Sequence, residues 1–241
     1  HPDLVELDYA GLNHLGWIRG VRVAGNDITR QVLAFFEGGE GPANIPDIDY
    51  PAGFIAALGM IPSPYLRYYY AEDRVLEELR AQPRTRAQVV MELEDRLFSI
   101  YRDRTQRAKP ALLDLRGGAW YSRVALDVMA GLLSPEGRRE VVNTLNQGAI
   151  PGLPGDAVVE VPALLSAHGI QPLAGDPLPE QAAGLVRHAK AYERLTIEAA
   201  ITRSRAKALA ALVANPLVRT VDAAAAILDD VIANGDFVPA D

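Results

Sequence analysis

Apolar positions along the 241-residue chain recur mostly at helical spacing. From Leu185 the apolar or small residues Ala189, Tyr192, Leu195, Ala199, Thr202, Ala206, Leu209 and Val213 follow steps of three and four. That period keeps one helix face turned to a core. It predicts one long helix stopped near Asn215-Pro216, then a final helix from about Asp222 to Ala233 closed by Asn234-Gly235. Between Arg86 and Asp103 the same period runs through Val90, Leu93, Leu97 and Ile100 or Tyr101. "RGGAWYSRVALDVMAGLLS" reads as a glycine turn feeding a further helix. "GFIAALGMIPSPYLRYYYAEDRVLEELR" reads as helical segments punctuated by Pro62 and Pro64, with Pro64 well placed early in a helix.

Strands are fewer. Gly16 to Val23 is β-rich and followed by the turn "AGND". Glu140 to Leu145 and Ala157 to Val161 flank the loop "NQGAIPGLPGD", the second strand ending at Pro162. Gly38 to Pro51, "GGEGPANIPDIDYP", has no apolar period and reads as a loop. Helices and strands do not alternate in βαβ order. The expected fold class is therefore α+β, mostly helical with a small, partly antiparallel sheet.

Composition narrows the function. Hydrophobic residues make up 49% of the chain, enough for a sizeable core. A net charge of −7 argues against a nucleic-acid partner, which would call for clustered Lys and Arg. No apolar run approaches the roughly 20 residues that span a bilayer, so no membrane partner is expected. The absence of cysteine removes thiolate chemistry from this stretch and fits a cytoplasmic setting. Neither GxGxxG nor a P-loop occurs, so no dinucleotide phosphate site of the usual kind is expected within it.

Four clusters could carry chemistry. "LDYAGLNHLGW" sets the amide of Asn13 beside the imidazole of His14 inside an apolar run. Such a His is either a core residue with both nitrogens satisfied or a ligand. In "PYLRYYY", helical geometry puts Tyr65, Tyr68 and Tyr69 on one face and points Arg67 and Tyr70 elsewhere. A phenol is a poor base near its ordinary pKa of roughly 10 and a plausible one beside a cation. The alternative is an aromatic core stripe. "PRTRAQ" brings Arg84 and Arg86 to a helix start, either to grip an anion or as a solvated basic turn. "RGGAWYS" lets backbone approach a ligand or makes a tight turn. Arg116 and Asn146 both open glycine turns that need no ligand.

Taken together and in order, "DYAGLNHLGWI", "NIPDIDYP", "PYLRYYY", "RGGAWYS", "NQGAIPGLPGDAVVEVP" and "AYERLTIEAAITRSRAKALAALVANPLV" resemble the NAD-dependent family 4 glycoside hydrolases. Within these the chain is most similar to the 6-phospho-β-glucosidases. The resemblance implies that residues 1–241 are the C-terminal substrate-binding, metal-binding and oligomerisation domain, without the N-terminal Rossmann domain. It implies NAD⁺ oxidation at C3 of the sugar, proton abstraction at C2, elimination of the C1 substituent, addition of water and return of the hydride. This departs from the usual two-carboxylate scheme. It further implies Mn²⁺ or another divalent metal on the C2 and C3 oxygens, held by His14 and an upstream Cys. Tyr65 maps onto the family's base, Arg86 onto a substrate-contacting Arg, and Asn13 is the adjacent candidate for a substrate hydrogen bond.

The implied substrate is a phosphorylated disaccharide or aryl 6-phospho-β-glucoside, and the implied assembly a homodimer or homotetramer. The chain alone is expected to be inactive. Two alternatives stand beside this reading, the corresponding domain of an NAD-dependent α-glycosidase and that of a 2-hydroxyacid dehydrogenase. Truncation would also leave apolar side chains exposed on the face that met the missing domain.

Overall fold

Residues 4–37, 50–116 and 121–240 are described by the computed structural model. Most of the expected loop over residues 38–51 and the glycines of the "RGGAWYS" turn lie outside them. The sheet begins with a hairpin, β1 (Val5–Leu12) and β2 (Leu15–Val23), paired antiparallel from Val5↔Val23 to Leu12↔Leu15. Alternation explains it: Ala10, Leu12 and Trp17 enter the core from one face, while Tyr9, Gly11 and Gly16 occupy the other. Between Asp8↔Gly20 and Tyr9↔Ile18 the register shifts by one residue, and the extra residue is Arg19. Its guanidinium holds Asp8 Oδ1 at 2.7 Å and donates to the Asp176 carbonyl at 2.7 Å.

Two short strands use the outer edge of β2: β3 (Asn26–Asp27) opposite Arg22 and Val23, and β4 (Ile61–Pro62) opposite Ile18 and Trp17. On the other side of β1 lies β6 (Val158–Ser166), which carries β5 (Arg138–Leu145) along its length and β7 (Gly169–Pro172) near its end. The order is β3-β2-β1-β6-β5, with every described pairing antiparallel.

Helices dominate the rest: α1 (Thr29–Glu37), α2 (Phe54–Leu58), a 3₁₀ turn (Pro64–Leu66), α3 (Arg67–Tyr70), α4 (Glu72–Ala81), α5 (Arg86–Tyr101), α6 (Leu112–Arg116), α7 (Tyr121–Leu133), α8 (Glu180–Thr202), α9 (Arg205–Val213) and α10 (Val221–Ala233). The α+β expectation holds. In the core, Leu12 and Trp17 of the hairpin meet Met60, Leu66, Val159 and Val161, with Ala182 and Val186 of α8 closing the layer.

Two local expectations are corrected. The long C-terminal helix is two helices. Arg203 adopts φ 54, and the Ser204 side chain accepts from the Lys207 N–H to start α9. The C-terminal tail docks at this break, with Ala240 N–H donating to the Arg203 carbonyl and Arg203 Nε to the Val238 carbonyl. Apolar period alone could not reveal it, because the three-and-four spacing in the sequence runs on across the bend, although in α9 it is Ala211 that is buried.

The second correction concerns Pro162, which does not end its strand. Its carbonyl accepts from Leu173 N–H at 2.9 Å, and its nitrogen faces the same side, where β7 has already stopped at Pro172. The missing donor therefore costs only the rung just past the end of β7 and none within that ladder.

Asn146 is a structural residue. It is fully buried, donates through Nδ2 to the carbonyls of Ile150, Leu153 and Pro154, and accepts the Ile150 N–H at 2.7 Å through Oδ1. Replacing it by Ala strands several buried backbone groups, and urea unfolding of Asn146→Ala is expected to show a loss of about 3 kcal/mol.

Candidate active site

The tip of the β1–β2 hairpin is the two-residue turn Asn13-His14. His14 has φ 65, a left-handed conformation that His tolerates better than most non-glycine residues but that still carries strain. The turn faces outward, and both Asn13 and His14 are exposed. The core alternative raised by the sequence is therefore excluded for this imidazole.

Tyr65 arrives at the same tip by a short chain of backbone bonds. Ile61 and Pro62 pair with Ile18 and Trp17, and Ser63 N–H then donates to the Gly16 carbonyl at 2.8 Å. Pro64 fixes the φ that starts a 3₁₀ turn. Leu66 is driven into the core, and Tyr65, one residue earlier, is left 45% exposed. Its ring lies on the His14 ring with centroids 4.0 Å apart and planes within 4°. An imidazole and a phenol separated by 51 positions in sequence thus share one open surface.

The remaining tyrosines divide as helical geometry requires. Tyr68 and Tyr69 stay partly exposed, whereas Arg67 is buried, paired with Glu78 and set against the Tyr68 ring at 6.0 Å. Tyr70 packs edge-on against Phe54 and Tyr50. Burial raises the Tyr70 phenol. The nearby Trp17 indole N–H eases that shift, and Tyr69 adds to it. Indole and hydroxyl do not, however, meet in hydrogen-bond geometry. Burial also pushes Tyr50 up to about 12, with Tyr70 adding to the shift and the Arg67 and Arg74 guanidinium groups opposing it. Both rings are half-buried in this aromatic cluster.

Arg86 sits at the first position of α5, behind the Thr85–Gln88 capping box. One guanidinium nitrogen donates to the carbonyls of Leu115 (3.0 Å) and Arg116 (2.9 Å), closing the end of α6. Arg116 itself is paired with Glu94 at 2.7 Å. No hydrogen bond, ion pair or ring contact links Arg86 to His14 or Tyr65. Asn13 and His14 are brought together with Tyr65, and Arg86 touches neither ring. Missed by sequence reasoning were Tyr9 and Glu160, whose side chains bond at 2.7 Å beneath the tip, although glycines at 11 and 16 hinted that something occupies that face.

A divalent metal fits His14 as a single ligand, since imidazole suits such cations and this ring is accessible. Among the described residues no three His, Cys, Asp or Glu side chains converge, so a metal held here would need further donors from elsewhere. No helix among these residues is long and apolar enough to cross a membrane.

The fold is thus a mostly helical α+β domain that presents an imidazole stacked on a phenol at a hairpin tip. Residues 9–218 match the family described as "Family 4 glycosyl hydrolase C-terminal domain", and the chain belongs to that family. It is 38% identical over 97% of its length to a 6-phospho-beta-glucosidase of Thermotoga maritima, covering 55% of that protein. To a probable 6-phospho-beta-glucosidase of Bacillus subtilis it is 36% identical over 95% of its length, covering 53%. The Thermotoga maritima structure with manganese, NAD⁺ and glucose-6-phosphate superimposes with a TM-score of 0.88 at 35% identity, over 99% of this chain and 56% of that one. The chain therefore spans about half the length of the relatives it matches.

The aromatic wall generates a pH prediction. Tyr50 stays protonated in the fold at pH values where the unfolded chain has ionised, so its contribution is whole below about pH 10 and is lost as pH rises toward about 12. Phenolate absorbance should show a late-titrating group that Tyr50→Phe removes, and the variant's alkaline stability slope should be shallower than the parent's.

Proposed function

We propose that this chain is the substrate-side half of an NAD- and divalent-metal-dependent 6-phospho-β-glucosidase, with His14 as a metal ligand and Tyr65 as the base. The reading is carried by one observation, the exposed His14 ring stacked on Tyr65 at 4.0 Å. Support also comes from the relatives' names and from the manganese, NAD⁺ and glucose-6-phosphate of the superimposable structure. Bound together, metal and NAD⁺ supply Lewis acidity and a hydride acceptor.

The chain's own residues do the rest. His14 would hold the metal through one ring nitrogen, the metal supplying Lewis acidity there. The Tyr65 oxygen takes the proton from C2 of the sugar once C3 is oxidised, and holds it while the C1 substituent leaves. Asn13, exposed beside them, donates or accepts a hydrogen bond at a sugar oxygen. Arg86 contacts the sugar phosphate or a neighbouring oxygen with the donors that the α6 carbonyls leave free. A cytoplasmic setting accompanies this activity.

In the protein that carries this chain, assayed with NAD⁺ and Mn²⁺ on an aryl 6-phospho-β-glucoside, Tyr65→Phe should lower kcat by about 10²–10⁴ with a smaller change in KM. His14→Ala should lower Mn²⁺ affinity as well as turnover. Normal turnover by Tyr65→Phe would contradict the base assignment, and preference for the α-anomer would move the chain to the alternative specificity.

An assembly role is compatible with this reading and has its own support. Leu126, Met129 and Leu133 on α7, and Ile197 and Ile201 late in α8, are all more than half exposed. Apolar surface of that kind marks a contact with another chain or domain. Light scattering should report a dimer or tetramer, and Leu126→Glu or Ile201→Glu should weaken it if the respective helix lies in the interface; a strict monomer at high concentration contradicts the role.

A further inference from the structure

We propose that Tyr9 and Glu160 form a strut that holds the Asn13-His14 turn in place and so aims the His14 imidazole. The functional weight of this inference rests on the reading of His14 as a metal ligand.

Behind the turn the hairpin is stripped of side chains on one face. Gly11 and Gly16 lie opposite each other one register beyond the closing pair Leu12↔Leu15. A Cβ on Gly11 would fall 2.3 Å from both the Gly16 Cα and the Leu15 carbonyl oxygen, so the two strands approach closely. A Cβ on Gly16 would fall 2.3 Å from the Tyr9 hydroxyl and 2.5 Å from its Cζ. The Tyr9 ring therefore lies along the bare backbone of β2, in the space a side chain would fill. Its hydroxyl donates to Glu160 Oε2 at 2.7 Å.

Glu160 is also the residue opposite Gly11 in the described β1–β6 ladder, so the bond ties the hairpin to the neighbouring strand close to the tip. Burial raises the Tyr9 phenol far above its ordinary value, and the Glu160 carboxylate raises it further, which keeps this group a donor. The opposite hairpin face is fixed by Leu12 and Trp17 in the core.

The tip is thus clamped from both sides, and what it carries is a strained His14 whose ring must lie parallel to Tyr65. Packing holds one face without help. On the other, the β1–β6 backbone pairing at Gly11↔Glu160 is joined by one side-chain tie, the charge-assisted Tyr9–Glu160 bond, whose directionality is sharper than that of apolar contact. Loss of the strut frees the hairpin to tilt about its core face, and the imidazole moves most because it lies at the far end. Tyr9 and Glu160 are positioning residues.

Two readouts on the protein that carries this chain test the strut. One is the NMR signal of the His14 ring in protein with labelled histidine, assigned by its loss in His14→Ala and by the ring-current change in Tyr65→Leu. The other is the Mn²⁺ dissociation constant, from the resonance signal of free Mn²⁺ with NAD⁺ present. Tyr9→Phe keeps the ring over Gly16 and removes only the hydroxyl. It should shift the His14 signal toward the position seen in Tyr65→Leu and weaken Mn²⁺ about ten-fold.

Glu160→Leu should do the same, and the double variant should be no worse than either. Glu160→Gln keeps an acceptor oxygen and should stay close to the parent. A purely structural pair would lower the melting temperature with the His14 signal unmoved. That result in Tyr9→Phe, or additive losses in the double variant, would overturn the strut. If His14→Ala binds Mn²⁺ as tightly as the parent, the metal-ligand reading fails instead, and the His14 signal in Tyr9→Phe still decides the strut.

Discussion

The candidate site depends on a two-residue strand. Ile61 and Pro62 pair with Ile18 and Trp17 on the outer edge of β2, and the next N–H, from Ser63, reaches the Gly16 carbonyl. Those bonds bring the segment that follows to the hairpin tip. Without them Tyr65 would belong to a helical stretch with no fixed relation to His14. With them, the proline that opens the 3₁₀ turn and the burial of Leu66 leave Tyr65 one orientation, flat against the imidazole. Backbone pairing supplies the placement and apolar burial supplies the rotation.

Polar groups near the site fall into two sets with different physical roles. Exposed ones, Asn13, His14 and Tyr65, have room to meet a ligand. The half-buried Tyr9, Tyr50 and Tyr70 and the buried Arg67 are held by partners or by packing, and the loss of solvent pushes the three phenols up. A phenol kept neutral serves as a donor or a wall, whereas one open to solvent and to a cation can exchange a proton. Five of the chain's nine tyrosines fall in residues 50–70, and exposure separates their roles where identity does not.

Several elements were legible in the chain itself. Final helix, α5 and the β5–β6 pair came from period and turn residues, because a buried face imposes its spacing on the sequence. The division of "PYLRYYY" into Tyr65, Tyr68 and Tyr69 on one side and Arg67 and Tyr70 on the other followed from helical geometry, whereas the exposure of the first set, in place of an aromatic core stripe, did not. Hidden from sequence were the break at Arg203-Ser204 and the passage of β6 through Pro162. The tail docked at the first lies 35 residues on, and the second turns on where β7, the return strand of the same hairpin, ends. Arg86 shows the same limit. Its helix-start position was readable, but its engagement with the α6 carbonyls depends on a neighbour 29 and 30 residues away.

By itself the sequence determined which residue types are available and the α+β class. The ordered motifs also carried the family resemblance, because local spacing and motif order are properties of a one-dimensional string. Only the tertiary structure decided that His14 faces outward, that Tyr65 covers it, and that Tyr9 reaches Glu160 across 151 positions. Such contacts are set by which strand edges pair and how tightly two glycines let backbones approach, and neither quantity is written in any single stretch of residues.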